Sequence, residues 1–138
     1  MYRLAYVACL AILTTSCSEP SHTPSNEDAR KALTTTLDAW KSGKKVGTVA
    51  NADPKVQVSD FQWAAGELLD SYEISGEESS PSSKVFTVKL NVGKSPKPVE
   101  AKYHVLGRAE IMIYRDEDFA RAMNMDNNPK AKPGGRSR

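Results

Sequence analysis

Cysteine pairs, clustered histidines, long apolar runs and a large excess of either charge are all missing from this chain of 138 residues. Each absence removes a class of explanation. The two cysteines are Cys9 and Cys17. Cys9 lies inside an apolar N-terminal stretch, so a chain processed behind that stretch keeps Cys17 alone. It can then close no internal disulfide and build no two-cysteine metal or redox site. The two histidines, His22 and His104, stand far apart, and neither belongs to an HExxH spacing. No GxSxG elbow and no glycine-rich phosphate loop occurs. The expectation is therefore no metal, no cofactor and no catalytic residue that sequence alone can name. The formal net charge is +2. Between Asn26 and Met125 there are 14 basic and 15 acidic residues, which argues against a nucleic-acid-binding domain.

What is present begins at the N-terminus. Arg3 is followed by ten uncharged residues, Leu4 to Leu13, and then by Thr14-Thr15-Ser16-Cys17. Crossing the hydrocarbon core takes about 20 apolar residues. Ten is about half of that, and a basic start, a short apolar run and small residues mark a secretory signal instead. Thr15-Ser16-Cys17 resembles the lipobox of bacterial lipoproteins, with Thr14 where that family usually carries an aliphatic residue. The resemblance implies cleavage before Cys17, acylation of its thiol and anchoring on a membrane lipid. Ser18 rather than Asp after the acylated residue implies, by the same resemblance, the outer membrane, facing the periplasm.

The organisation expected from composition is a signal peptide over 1–16, a lipidated Cys17 with a flexible tether over 17–25, one α+β domain over 26–125 and a disordered basic tail over 126–138. Ser25 opens a helix, with Glu27 and Asp28 at its positive end. Ala29, Leu33, Leu37 and Trp40 line one face, and Gly43 stops it. The period then changes to two. Short strands are expected from Val56 to Phe61, Leu68 to Ser75, Val85 to Val92, Val99 to Val105 and Ala109 to Ile113. Trp63-Ala64-Ala65-Gly66 breaks the first of them, and a short helical turn is expected at Phe119 to Met125.

One helix followed by four to five strands predicts a helix packed on a curved antiparallel sheet, a meander with one face covered and the other partly open. That order resembles the cystatin/NTF2-like architecture. Leu37 to Lys44, Asp60 to Trp63 with Gly66, Tyr72 and Ile74, Tyr103 to Gly107 and Ile111 to Arg115 resemble small exported bacterial lipoproteins. The resemblance implies a fold and carries no activity.

Candidate site residues are few. A cavity enzyme would need a carboxylate and a hydrogen-bond donor in one pocket. Asp60, Asp70 and Tyr72 are the candidates, with Asp70 and Tyr72 on one face by the period of two; the simpler expectation leaves Asp70 in water at a sheet edge and packs Tyr72 against the helix. His104 is expected on the outer face with Glu100 and Lys102. Asp116-Glu117-Asp118 is expected to open the last helical turn. Trp40 and one of Phe61 and Trp63 are expected in the core; exposed aromatics would offer a contact surface. The functional expectation is an envelope lipoprotein acting as a binding or structural module, its partners being membrane lipid at Cys17 and an envelope protein or glycan. The alternative is a small NTF2-like cavity enzyme or small-molecule carrier.

Overall fold

The structure is a computed structural model that describes residues 23–93 and 95–127; Cys17, the signal stretch 1–16 and most of the expected tail over 126–138 lie outside the described residues. Helix α1 (Asn26–Lys41) starts where Ser25 accepts a hydrogen bond from the Asp28 amide, and Ser42 ends it. Gly43 follows at φ 80, a left-handed turn that a residue without a β-carbon adopts at little cost. The buried stripe of α1 is Ala29, Ala32, Leu33, Thr36, Leu37, Ala39 and Trp40, the stripe expected from a 3.6-residue period.

The rest is one sheet. β1 (Thr48–Val49), β2 (Lys55–Ser59), β3 (Leu69–Ser79), β4 (Lys84–Val92), β5 (Val99–Leu106) and β6 (Glu110–Arg115) lie in the order β1-β2-β6-β5-β4-β3. A four-residue helix, α2 (Phe61–Ala64), joins β2 to β3, and α3 (Asp116–Asn127) follows β6 without a break. The fold is α+β, as expected, with six strands rather than four to five. The sheet is mixed, which corrects the antiparallel meander: β3 to β6 form an antiparallel run, but β2 pairs with β6 in parallel, Val56 opposite Ile111 and Val58 opposite Ile113. Alternation of apolar residues identifies a strand and its buried face, and it is blind to the direction of the partner. A parallel pair needs a long connection, and here α2 and the three intervening strands supply it. β1 was read as part of a connection because two residues are too short to show a period.

The core lies between α1 and one face of the sheet. Phe86, Val88 and Leu90 of β4, Ala101, Tyr103 and Val105 of β5, and Ile111 and Ile113 of β6 are buried there with Val56, Val58 and Leu69. Strand β3 runs four residues beyond expectation, to Ser79, because its polar end still pairs its backbone with β4. Its register shifts twice, between Leu69 and Ser71 and between Ile74 and Gly76. The second shift brings Glu77 opposite the core residue Phe86, and Glu77 pairs with Arg30 of α1 at 3.1 Å. Gly107, at φ 91, turns β5 into β6 where an added β-carbon would run into the Glu110 carbonyl.

The outer sheet face carries α3. Phe119 stacks on His104 with centroids 4.1 Å apart and planes at 10°. His104 Nε2 lies 2.7 Å from Asp116 Oδ1. His104 does lie on the outer face, yet it is half-buried beneath α3 rather than open to water. The expected single turn at Phe119 to Met125 is a twelve-residue helix. Among the described residues no helix is long and apolar enough to cross a membrane.

Candidate functional site

Two regions of opposite character meet at α2. The first is a closed polar cluster. Asp60 sits just before α2 and caps it: its Oδ1 accepts from the amides of Gln62 at 2.9 Å and Trp63 at 3.1 Å. Its Oδ2 accepts from the Tyr103 hydroxyl at 2.6 Å. Tyr103 and Arg115 stand directly opposite each other on β5 and β6. Both point to the core side, Tyr103 following Ala101, and Arg115 following Ile111 and Ile113. Arg115 is 2 % exposed, and its Nη1 lies 3.5 Å from Asp60 Oδ1. The same guanidinium donates to Gln62 Oε1 and to Glu117 Oε2, and it lies 4.7 Å over the Phe61 ring. Asp118, in the first turn of α3, accepts from the Phe61 amide at 2.9 Å and pairs with Arg121 at 3.3 Å.

Burial pushes the Tyr103 phenol well above its ordinary pKa, and the charge of Asp60 and the hydrogen bond to it push further, against a smaller opposing pull from Arg115. A phenol held protonated against a carboxylate is a donor, and at neutral pH it is neither base nor nucleophile. Both oxygens of Asp60 already hold donors. The cluster therefore ties α2, β5, β6 and α3 together, and its polar groups are spent on one another.

The second region is an open groove on the other side of α2. Trp40, near the end of α1, and Trp63 of α2 stack with centroids 5.6 Å apart and planes at 12°. The Trp40 indole N–H donates to the Glu67 carbonyl at 2.7 Å, and that of Trp63 donates to the Lys44 carbonyl at 2.6 Å. Each tryptophan thus holds one wall of the groove, residues 43–46 on one side and 64–68 on the other. The space between is about 400 Å³. Val46, Ala64 and Leu68 line it with the two indoles, and Lys44, Lys45 and Glu67 stand around it. Leu68 is 64 % exposed, a large apolar side chain left in water beside an apolar floor.

The residues named from sequence are distributed as follows. Asp60 is buried and does face a tyrosine, but the tyrosine is Tyr103. Asp70 is exposed, at the first register shift of β3, where the period of two is interrupted. Tyr72 gives its hydroxyl to the exposed Asp38 of α1 at 2.8 Å, not to Asp70. Burial, then the hydrogen bond and charge of Asp38, raise its pKa from 10.0 to about 12. Asp70 and Tyr72 are not brought together in one site. Of the aromatic pair Trp63 is core, and Phe61 is 40 % exposed with its ring under Arg115. They part because residues 61–64 form a helix rather than a strand. Asp116, Glu117 and Asp118 open α3, each with a partner of its own. Among the described residues no three His, Cys, Asp or Glu side chains converge to hold a metal ion.

Tyr103, Arg115 and Asp118 were not named as site residues from the sequence, although alternation puts Tyr103 on the apolar face and Asp118 was expected at the start of the last helical turn. The signal for two of them was there. An arginine at the next core-side step after Ile111 and Ile113, and a tyrosine at the same step after Ala101, each demand a buried polar partner. No protein-family model matches the chain, and no curated protein matches it.

Proposed function

We propose that this chain is an exported bacterial lipoprotein, acylated at Cys17, whose folded domain works by non-covalent binding. The observation that carries the binding reading is the contrast at α2. The buried carboxylate, arginine and phenol are occupied by one another, while the apolar groove over Trp40 and Trp63 stays open. The architecture, one long helix on a single mixed sheet, fits a relationship to the cystatin/NTF2-like group and to the small exported lipoproteins named above.

The anchor reading rests on ten apolar residues followed by Thr15-Ser16-Cys17. From Cys17 to Ser25 the chain reaches at most about 26–29 Å, so the start of α1 stays near the lipid. Helix α1 is about 24 Å long, and the groove lies at its far end. In this reading the groove is reached from the aqueous compartment, where an envelope protein, a glycan or a small molecule meets it.

Expression of the full chain in a bacterial host, followed by membrane fractionation and mass measurement of the mature N-terminus, tests the anchor. The expected result is a mature chain starting at Cys17 with added acyl mass, and release to the soluble fraction on Cys17→Ala. A mature form starting elsewhere without acyl mass, or a Cys17→Ala variant that still sediments with membranes, contradicts it.

A further inference from the structure

The binding reading above leaves the occupant of the groove open, and the inference here rests on that reading. The two indoles are nearly buried, 1 % and 6 % exposed, and their N–H groups are taken by the carbonyls of Glu67 and Lys44, so the groove offers no indole donor and its accessible apolar surface comes mainly from Val46 and Leu68. The carbonyls of the last turn of α1 are taken too: Ser42 N–H donates to Asp38, Gly43 to Trp40 and Lys44 to Ala39. The negative end of the helix is thus covered, and it repels an incoming anion less than an open terminus would. Charge around the groove is uneven. Glu67 is engaged by the Gln62 side-chain amide at 3.2 Å. Lys44 and Lys45 stand at the groove with no carboxylate partner among the described residues.

We infer that the groove between residues 43–46 and 64–68 binds a small organic anion with a flat apolar body. The body rests against Val46, Leu68 and the exposed edge of Trp63, with Trp40 buried behind it. The anionic group lies at the mouth, where the two cations Lys44 and Lys45 outnumber the one carboxylate, Glu67, which is held by the neutral Gln62 amide. The volume, about 400 Å³, falls at the small end of the range in which ligand pockets lie, about 300–1,000 Å³. Lysine is a mobile point charge on a long stem, so the site selects for charge and apolar bulk more than for one headgroup geometry.

The chain contains two tryptophans, and both belong to this groove, which makes their indole N–H signals a local reporter. The test is a titration of the full chain bearing Cys17→Ser, which needs no detergent, with 1-naphthoate and separately with its neutral isostere 1-naphthamide. The readout is the two indole signals in a nitrogen–proton correlation spectrum. Saturable shifts of both signals by naphthoate, at least tenfold weaker binding of naphthamide, and loss of that preference in Lys44→Gln/Lys45→Gln support the inference. Both lysine side chains are exposed, and Lys44 holds Trp63 and Ala39 through its backbone alone, so the double variant retains the fold, and its unchanged backbone spectrum serves as the control. Indole signals that stay still up to about 10 mM naphthoate, about 10⁴-fold above the Kd of a micromolar site, overturn it. So does equal affinity for naphthoate and naphthamide, or a double variant that binds naphthoate as tightly as the parent. Because Cys17 is substituted throughout, failure here is independent of the N-terminal mass measurement, and neither result decides the other.

Discussion

The polar cluster around Asp60 and the groove over Trp40 share the helix α2 and invert each other. In the cluster, Asp60, Arg115 and Asp118 are buried and matched, with Glu117 and Arg121 reaching solvent at its rim. In the groove, buried aromatic side chains hold open a space edged by the exposed Leu68, and the charges beside it are unmatched. A carboxylate next to a tyrosine draws the eye as chemistry, yet here both Asp60 oxygens are filled by amides, a phenol and an arginine. Two stacked tryptophans read as core and are core, and behind the groove they hold the walls of a space of about 400 Å³ beside an exposed leucine. What distinguishes a site from a brace is whether its bonding capacity is already used. Polarity alone does not.

Substitutions sharpen that contrast, and the largest effect belongs to the cluster. Arg115→Met removes the cation buried between Asp60 and Glu117 and leaves Asp60 uncompensated. The loss of stability is expected to be about 3–5 kcal/mol, read by urea unfolding. Tyr103→Phe keeps the ring and removes one donor, leaving Asp60 Oδ2 unpaired, at an expected cost of about 1–3 kcal/mol. If either variant unfolds like the parent, the cluster does not hold the fold together.

Tyr72→Phe probes a polar contact outside both regions. Its bond to Asp38 is exposed, so the expected cost at neutral pH is about 0.5–1 kcal/mol. The pH dependence is the sharper signature. A phenol whose folded pKa is raised from 10.0 to about 12 contributes its full stabilisation below pH 10. That contribution fades as pH climbs from 10 to about 12. The gap between parent and Tyr72→Phe should therefore be constant below pH 10 and close above it. A gap that widens with pH contradicts the assigned direction. The smallest effect belongs to the groove. Leu68→Ser removes an exposed side chain and should change stability by no more than about 0.5 kcal/mol, while weakening naphthoate binding in the titration above. A large loss of stability would make Leu68 part of the core instead.

How much of this was legible in the sequence follows from what each pattern encodes. Helix α1 was readable to within a residue or two, since Ser25, the stripe from Ala29 to Trp40 and Gly43 act locally. The core-side faces of β4 and β5 were readable for the same reason, from Phe86 to Val92 and from Val99 to Val105. The parallel pairing of β2 with β6 was not, because Val56 and Ile111 lie 55 positions apart and nothing local to either specifies its partner. Asp70 in water and Tyr72 against α1 agree with the simpler expectation, whereas a shared pocket fails because one extra residue in β3 interrupts the period of two, and a bulge leaves no mark on composition. Asp60 was singled out for its acidity, whereas its role as a cap on a four-residue helix was hidden. Phe61-Gln62-Trp63 reads as well as a strand. Arg115 was the residue whose position deserved the inference it did not receive: a cation at an apolar step announces a buried acid.

The central claim is that Asp60 is part of the scaffold and that binding belongs to the groove on the other side of α2. Urea unfolding of Asp60→Ala tests it most directly. The substitution removes the cap of α2 and the acceptor for Tyr103, and it leaves Arg115 charged and buried, so the parent stability should fall by at least about 3 kcal/mol. A variant within about 0.5 kcal/mol of the parent would show a carboxylate that the fold does not need, and the claim would be contradicted.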